Sequence, residues 1–368
     1  MPLNQPDEPL IAALRTPEFA QSNTPEENVL NGPLGLRAGW GLLFFFVLAV
    51  VFFFLLFAGL FQATGRMAEF RHDSKVARGA ETAAKAAHRP FVPPPAKVSL
   101  TFLAEASEGG AVLLATFALC FVEKRRFRVY GLEPRYVWDA LPGAFWGLVS
   151  LAVLVGLLRG LHLLVFDGQM LHGALAWRYG VEWLVVFALV GVFEEFFFRG
   201  YIQFTLMRGL LGLGARVSPG NPQRGAFWMA AVIWSLLFCL THLSNAGEDP
   251  VGLVMVFVAG ILFSYALWRT GSLWWGIGFH MTWDWAQSFL FGVPDSGMVS
   301  AGRLFATHAV GNRLLSGGTT GPEGSVYVLP VLLLVGVVLR MHKQRPQPPV
   351  EQEGSRQVPG VEGAAAIS

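Results

Sequence analysis

Long, nearly charge-free apolar runs dominate the chain, separated by short polar stretches. The clearest run lies between Arg37 and Arg66, with no charged residue between them and with Phe44, Phe45, Phe46, Phe52, Phe53 and Phe54 inside it. Further runs lie near 99–122, 139–166, 181–207, 226–246, 251–268, 272–292 and 325–341. A span needs about 20 apolar residues to cross about 30 Å of hydrocarbon, so the pattern predicts about eight transmembrane helices. The runs are continuous and do not alternate with period two, which favours helices over a closed barrel. The expected fold is therefore all-α, a polytopic transmembrane helical bundle. The first run exceeds the roughly 7–15 residues of a signal-peptide core and is read as a retained span. Run 99–122 is the weakest, because Glu105, Glu108, Gly109 and Gly110 interrupt it. The alternative there is a short span preceded by an interfacial turn.

Composition sharpens this picture. The chain is 53% hydrophobic and only 14% charged, against about a quarter charged in soluble domains. Its formal net charge is +2, which offers no electrostatic footprint for nucleic acid. A cytosolic enzyme, a disordered chain and a nucleic-acid binder are excluded. Cys120 and Cys239 both fall in apolar runs, so neither a disulfide framework nor a CxxC metal site is expected. The chain divides into a flexible N-terminal tail (1–33), N-terminal transmembrane helices with an extramembrane loop at 62–98 (34–180), a helical core (181–292), a loop with the last transmembrane helix (293–341), and a flexible C-terminal tail (342–368). Within the loop, the Ala-rich charged stretch 66–89 reads as an extramembrane helix stopped by Pro90 and Pro93 to Pro95.

Orientation follows from Lys and Arg in short loops. Lys124, Arg125, Arg126, Arg128 and Arg135 crowd the 123–138 loop, Arg208, Arg216 and Arg224 the 208–225 loop, and Arg340, Lys343 and Arg345 the start of the tail. Eight spans with both termini in the cytoplasm satisfy all three. The 62–98 loop disagrees, carrying seven basic residues on the outside.

Charge inside a span costs about 2.5–3.5 kcal/mol per residue on insertion scales and defaults to a functional hypothesis. Glu105 and Glu108 in 99–122 mark an interface or reach into a cavity and are assigned no role; three other runs carry groups in patterns that suggest chemistry. The first holds Glu194, Glu195 and Arg199; on a helix Glu195 and Arg199, four apart, share a face and can pair, whereas Glu194 is left to face something else. The second holds Phe238 and His242, followed by Asn245. The third holds His280 and Asp284, again four apart, so that Asp284 can fix the imidazole in one tautomer. Gathered in one cavity, these groups supply a base, two imidazoles and a further carboxylate, enough to activate water. Glu194, His242 and His280 also compose a zinc ligand set of the His₂Glu type, so a divalent metal is the alternative to metal-free water. Taken singly, each group has a plainer reading: a neutralised pair, an interhelical hydrogen bond or an ion path.

The order EExxxR, FxxxH and HxxxD on three spans resembles the type II CAAX prenyl endopeptidase family and its bacterial relatives, the CPBP or Abi membrane proteins. The residues that carry the likeness are Glu194, Glu195 and Arg199, then Phe238 and His242, then His280 and Asp284, supported by Arg269 to Trp274. It covers roughly 181–291. The resemblance implies an intramembrane endopeptidase, with Glu194 as general base, His242 assisting, His280 and Asp284 stabilising an oxyanion or orienting the site, and Glu195 with Arg199 supporting it. Many members carry Asn at the last position; an ionised Asp284 cannot donate a hydrogen bond, so here it must be protonated or act by orienting His280. Family members are often described as metalloproteases, yet no HExxH helix is present. The implied partners are membrane lipid and a lipidated or membrane-associated peptide, in a bacterial inner membrane. The sequence does not set the oligomeric state. The rival functions are a non-catalytic immunity or scaffold protein of the same fold and a proton-coupled transporter, though no paired repeats are found for the latter.

Overall fold

The computed structural model describes residues 29–32, 35–87, 93–244, 250–342 and 344–345. Most of the tails expected at 1–33 and 342–368 lies outside the described residues, as does Asn245. The fold is an all-α bundle. Helix α1 (Ala38–Ala63) is apolar on every side and buries only Gly41, Phe45 and Phe61, as a helix facing lipid must. Helix α2 (Met67–Ala86) follows, Ala-rich and charged. Helix α3 (Val98–Glu123) is a single uninterrupted helix, so the interfacial turn considered for this run is not there. Its two glycines serve packing instead: a Cβ at Gly110 would sit 2.9 Å from Leu56 and one at Gly109 3.5 Å from Phe193.

Helix α4 (Ala140–Gly160) leads into strand β1 (Leu164–Gln169). Helix α5 (Gly173–Glu194) passes directly into a π-helical turn, Glu195–Ile202, and returns to α-helix over Gln203–Gly209. After the short α6 (Leu211–Val217) come α7 (Pro222–Thr241) and α8 (Pro250–Thr270). Helix α9 (Trp274–Trp285) also ends in a π turn, Ala286–Leu290. Strand β2 (Phe305–Ala309) pairs antiparallel with β1, and α10 (Val328–Met341) closes the bundle. Five stretches are long and apolar enough to cross a membrane: Ala38–Ala63, Val98–Glu123, Phe127–Gly160, Pro222–Thr241 and Pro250–Thr270. The other three of the eight apolar runs hold α5, α9 and α10, which are broken by charge or by a π turn, or are shorter. The chain is an integral membrane protein.

Two features of this packing position the site. Helices α4 and α9 approach through glycine: a Cβ on Gly143, Gly147 or Gly278 would overlap a backbone carbonyl of the other helix. Thr282 Oγ1 also donates across to Ala144 O at 2.7 Å. Small residues that let backbones meet are the usual glue where lipid removes the hydrophobic drive between helices. The second feature is the sorting of helix ends to two faces. The end of α3, the starts of α4 and α9 and the ends of α8 and α10 share one face, where Leu273 N bonds to Gly131 O and Arg345 pairs with Asp139. Strands β1 and β2 lie on the opposite face, where Ala96 bridges to Ser300 and Trp183 Nε1 donates to Ala301 O at 2.9 Å.

Candidate active site

The π turn begins at Glu195, so the Glu-Glu pair straddles the point where the helical hydrogen bonds slip by one residue. Single π turns inside α-helices are frequent at functional sites. Glu195 and Arg199 are 1% and 2% exposed and pair at 3.0 Å from Arg199 Nη1 to Glu195 Oε1. A charge this deep needs partners, and Arg199 has them on its faces as well. Its guanidinium lies 4.8 Å from the Phe238 ring centroid and 5.1 Å from that of Phe263, within the range of cation–π attraction.

The same two rings reach the histidines. His280, on α9, stacks on Phe263 with centroids 5.2 Å apart, and His242 meets Phe238 edge to face at 4.7 Å. Phe238 and Phe263 thus join the buried arginine to both imidazoles. His280 Nδ1 lies 3.4 Å from Glu195 Oε1, and its Nε2 lies 3.4 Å from Asp284 Oδ2 and 3.8 Å from Glu194 Oε2. Both ring nitrogens therefore face carboxylate oxygens, by charge more than by aligned hydrogen bonds. His242 sits in the 3₁₀ turn that ends α7, with Nδ1 3.0 Å from Phe238 O. A carbonyl only accepts, so Nδ1 carries the proton in that bond. In the neutral ring this leaves the Nε2 lone pair free to accept.

Glu194, His242, His280 and Asp284 line one cavity of about 230 Å³. Glu195 and Arg199 lie behind its wall and support it. The cavity walls come from α3, α5, α7, α8, α9 and α10, so residues far apart in sequence share one chamber.

Sequence reasoning missed several of its groups. Glu105 of α3 lines the cavity, one of the two placements the sequence left open, without a role, for a carboxylate inside an apolar run. Asp295, Glu323 and Ser288 also line it. Ser288 Oγ donates to Asp295 Oδ2 at 2.9 Å, and Glu323 Oε1 accepts from Ser296 N at 2.5 Å. Asp295 lies in the connection after α9, where burial, and then the nearby Asp284 charge, holds its carboxyl well above the usual carboxylate range. Acidic residues in a polar connection carry no sequence signal. Phe263, one apolar residue among many on α8, carried none either.

The zinc alternative requires Glu194, His242 and His280 to turn donor atoms towards one point. Among the described residues, no group of three or more His, Cys, Asp or Glu side chains converges closely enough to hold a metal ion. As placed, the three do not form a ligand set, and no chemical step below is routed through a metal.

The family model described as Type II CAAX prenyl endopeptidase Rce1-like matches residues 176–286. Residues 176–286 are an Rce1-like domain. The match spans every residue of the three motifs, from Glu194 to Asp284, and the recognition drawn from those motifs stands. A domain of this type supports a membrane protease-type function. No curated protein and no solved structure matches the chain.

Proposed function

We propose that this protein is an intramembrane endopeptidase that hydrolyses a peptide bond of a lipidated or membrane-associated chain. The observation that carries the reading is the facing of His280 Nε2 and Glu194 Oε2 across 3.8 Å in a cavity that His242 also lines. Glu194 accepts a proton from water while His242, through Nε2, holds that water in line. The water oxygen attacks the scissile carbonyl carbon, and His280 donates from Nε2 to the oxygen as negative charge develops there. When the C–N bond breaks, the proton held by Glu194 passes to the leaving amine. Glu195, facing His280 Nδ1 with Arg199 paired behind it, is the positioning element that orients the ring, and Asp284 flanks the Nε2 that donates. Both termini face the cytoplasm in this reading, as the basic loops require, and the membrane is a bacterial plasma membrane, as the likeness to bacterial relatives implies.

The deciding experiment uses the purified full chain and a fluorogenic lipidated peptide in detergent or liposomes. Glu194→Gln keeps size and hydrogen bonding but removes the base, and a positioned general base is worth about 10²–10⁴-fold. The wild type is expected to cleave, with and without chelator, and the variant to lose activity on that scale. Equal rates for both proteins would refute the mechanism, and loss of wild-type activity on chelation would restore the zinc alternative.

A further inference from the structure

Charge, rather than an aligned hydrogen bond, draws the His280 ring to Glu195. Nδ1 faces Glu195 Oε1 at 3.4 Å, yet among the described residues it has no hydrogen-bond partner of good geometry. Attraction of this kind is weakly directional. It sets which edge of the imidazole turns towards Glu195 and leaves the tilt of the ring plane open. The last torsion of a histidine side chain has broad wells, so the residue does not settle that tilt by itself. His242 is held differently, with Nδ1 bonded to Phe238 O at 3.0 Å.

The tilt of His280 is settled from α8. Phe263 lies seven residues before the end of α8 at Thr270, and His280 six residues after the start of α9 at Trp274. At 1.5 Å per residue both stand about 10 Å from the turn that joins the two helices, so their rings come level. They stack with centroids 5.2 Å apart and planes 26° from parallel. Phe263 has no room to turn aside. It is 7% exposed, its ring meets Phe279 edge to face at 5.7 Å, and its Cδ1 lies 3.5 Å from where a Cβ on Gly276 would stand. The Arg199 guanidinium lies 5.1 Å from the same ring centroid. One wedged ring is thus shared by the arginine paired with Glu195 and the imidazole that Glu195 faces.

Resting on the hydrolase reading above, we infer that Phe263 is a positioning residue of the reaction: its face fixes the plane of His280, and so the direction in which Nε2 donates to the oxygen of the scissile carbonyl. Phe263 also lines the cavity, and a plain apolar wall would do no more than help to bind substrate. The two roles separate kinetically. A wall is felt equally by bound substrate and transition state, so its loss raises KM and leaves kcat unchanged. The direction of Nε2 matters only once charge develops on the carbonyl oxygen, so its loss lowers kcat and leaves KM unchanged.

The test compares Phe263→Leu and Phe263→Met, two apolar side chains without a ring, with para-fluorophenylalanine at the same position, which keeps one. All are made in the full chain and assayed on the fluorogenic lipidated peptide. The ringless variants are expected to lose about tenfold in kcat, the order of a stacked aromatic contact, with KM unchanged, and the fluorinated protein to cleave like wild type. A rise in KM with kcat unchanged, or equal losses in all three proteins, overturns the inference. A second measurement needs no activity. In protein labelled at the histidine Cε1 positions, the His280 proton signal is assigned by its absence from His280→Asn. Loss of the Phe263 ring current is expected to shift that signal in both ringless variants and to leave the His242 signal in place; a His280 signal that stays put overturns the inference as well. A wild type that cleaves nothing while the His280 signal shifts as expected counts against the hydrolase reading alone, and the hold of Phe263 on His280 then stands.

Discussion

Gly278 stands two residues before His280, at the closest approach of α9 to α4. Gly278→Ala adds one methyl group where the Ala140 carbonyl oxygen already sits. To restore an ordinary 3.4 Å contact, the two backbones must part by about 1.4 Å, because a close-packed interior offers no slack. Overpacking of a well-filled core costs about 1–3 kcal/mol. The catalytic consequence is larger than the loss of stability. His280 moves with α9, while Glu194 stays with α5, and the gap of 3.8 Å between them changes by an amount comparable to the parting of the helices. A misplacement of about 1 Å can cost 10²-fold in rate.

Gly278→Ala is therefore expected to fold, to melt lower by a few degrees, and to lose about 100-fold in peptide cleavage, on the same misplacement scale. Gly156→Ala is the control. It lies on α4 with nothing within 4 Å of its added Cβ, and it should leave activity unchanged without lowering the melting temperature, since Ala favours the helix over Gly. Cleavage and thermal unfolding are measured on the same preparations of wild type and both variants. A Gly278→Ala protein with wild-type activity would mean that the α4–α9 contact does not set the position of His280, and the reasoning from geometry to rate would fail.

Removing one partner of a buried ion pair leaves the other uncompensated, typically at about 3–5 kcal/mol; Arg199→Met is expected to lower stability on that scale, and the double variant Glu195→Gln/Arg199→Met to recover part of it, as read from thermal unfolding. Arg199→Met with wild-type stability would remove the pair from its supporting role. Asp284→Asn keeps an oxygen that can face His280 and adds a donor, so cleavage is expected to persist within about tenfold, while Asp284→Ala should fall towards the 10²-fold cost of a misplaced group; equal loss in both would show that the negative charge itself is required. The carboxyl of Asp295 is held above its ordinary range in the fold, so the native state binds more protons than the unfolded chain as pH rises past about 4, and stability falls with pH. Asp295→Asn should then be more stable than wild type at pH 8, with the difference shrinking towards pH 4 in thermal unfolding; parallel curves for the two proteins would refute the assignment.

The bundle was legible because lipid imposes a simple code. Each apolar run long enough to cross hydrocarbon has to close its own backbone hydrogen bonds, so Phe44 to Phe54 and their counterparts elsewhere read directly as helices. Spacing of four was legible for the same reason: Glu195 with Arg199 and His280 with Asp284 share helix faces whatever surrounds them. The π turn at Glu195 was not, because a one-residue slip of hydrogen bonds leaves no mark in the residue spacing. Gly109 and Gly110 looked like an interruption of α3 and are contact points, since a glycine that ends a helix and one that admits a neighbour are the same residue in sequence. Gly143 and Gly147, four apart on an apolar run, did carry a readable small-residue signal, and their partner Gly278 is what anchors the third motif.

Depth is where the one-dimensional reading misleads most. Counted along ideal helices, Glu194 and His280 fall well inside the bilayer, while His242 falls at the outer end of its run, as though it belonged elsewhere. Helix α7 begins at Pro222, a turn before the apolar run starts at Ala226, yet it still ends at Thr241, so no shift of boundary brings His242 down to the others. The cavity comes up to it instead. It extends from His280 to a mouth framed by Asp295, Ser296 and Met298, and a residue at a helix end can line it as well as one at mid-helix. A sequence gives each side chain a depth within its own helix, but it does not give the long axis of the space between helices. Three motifs at unequal depths are what a chamber open at one face requires, with Glu194 and His280 low in the bundle and His242 close to where substrate and water come in.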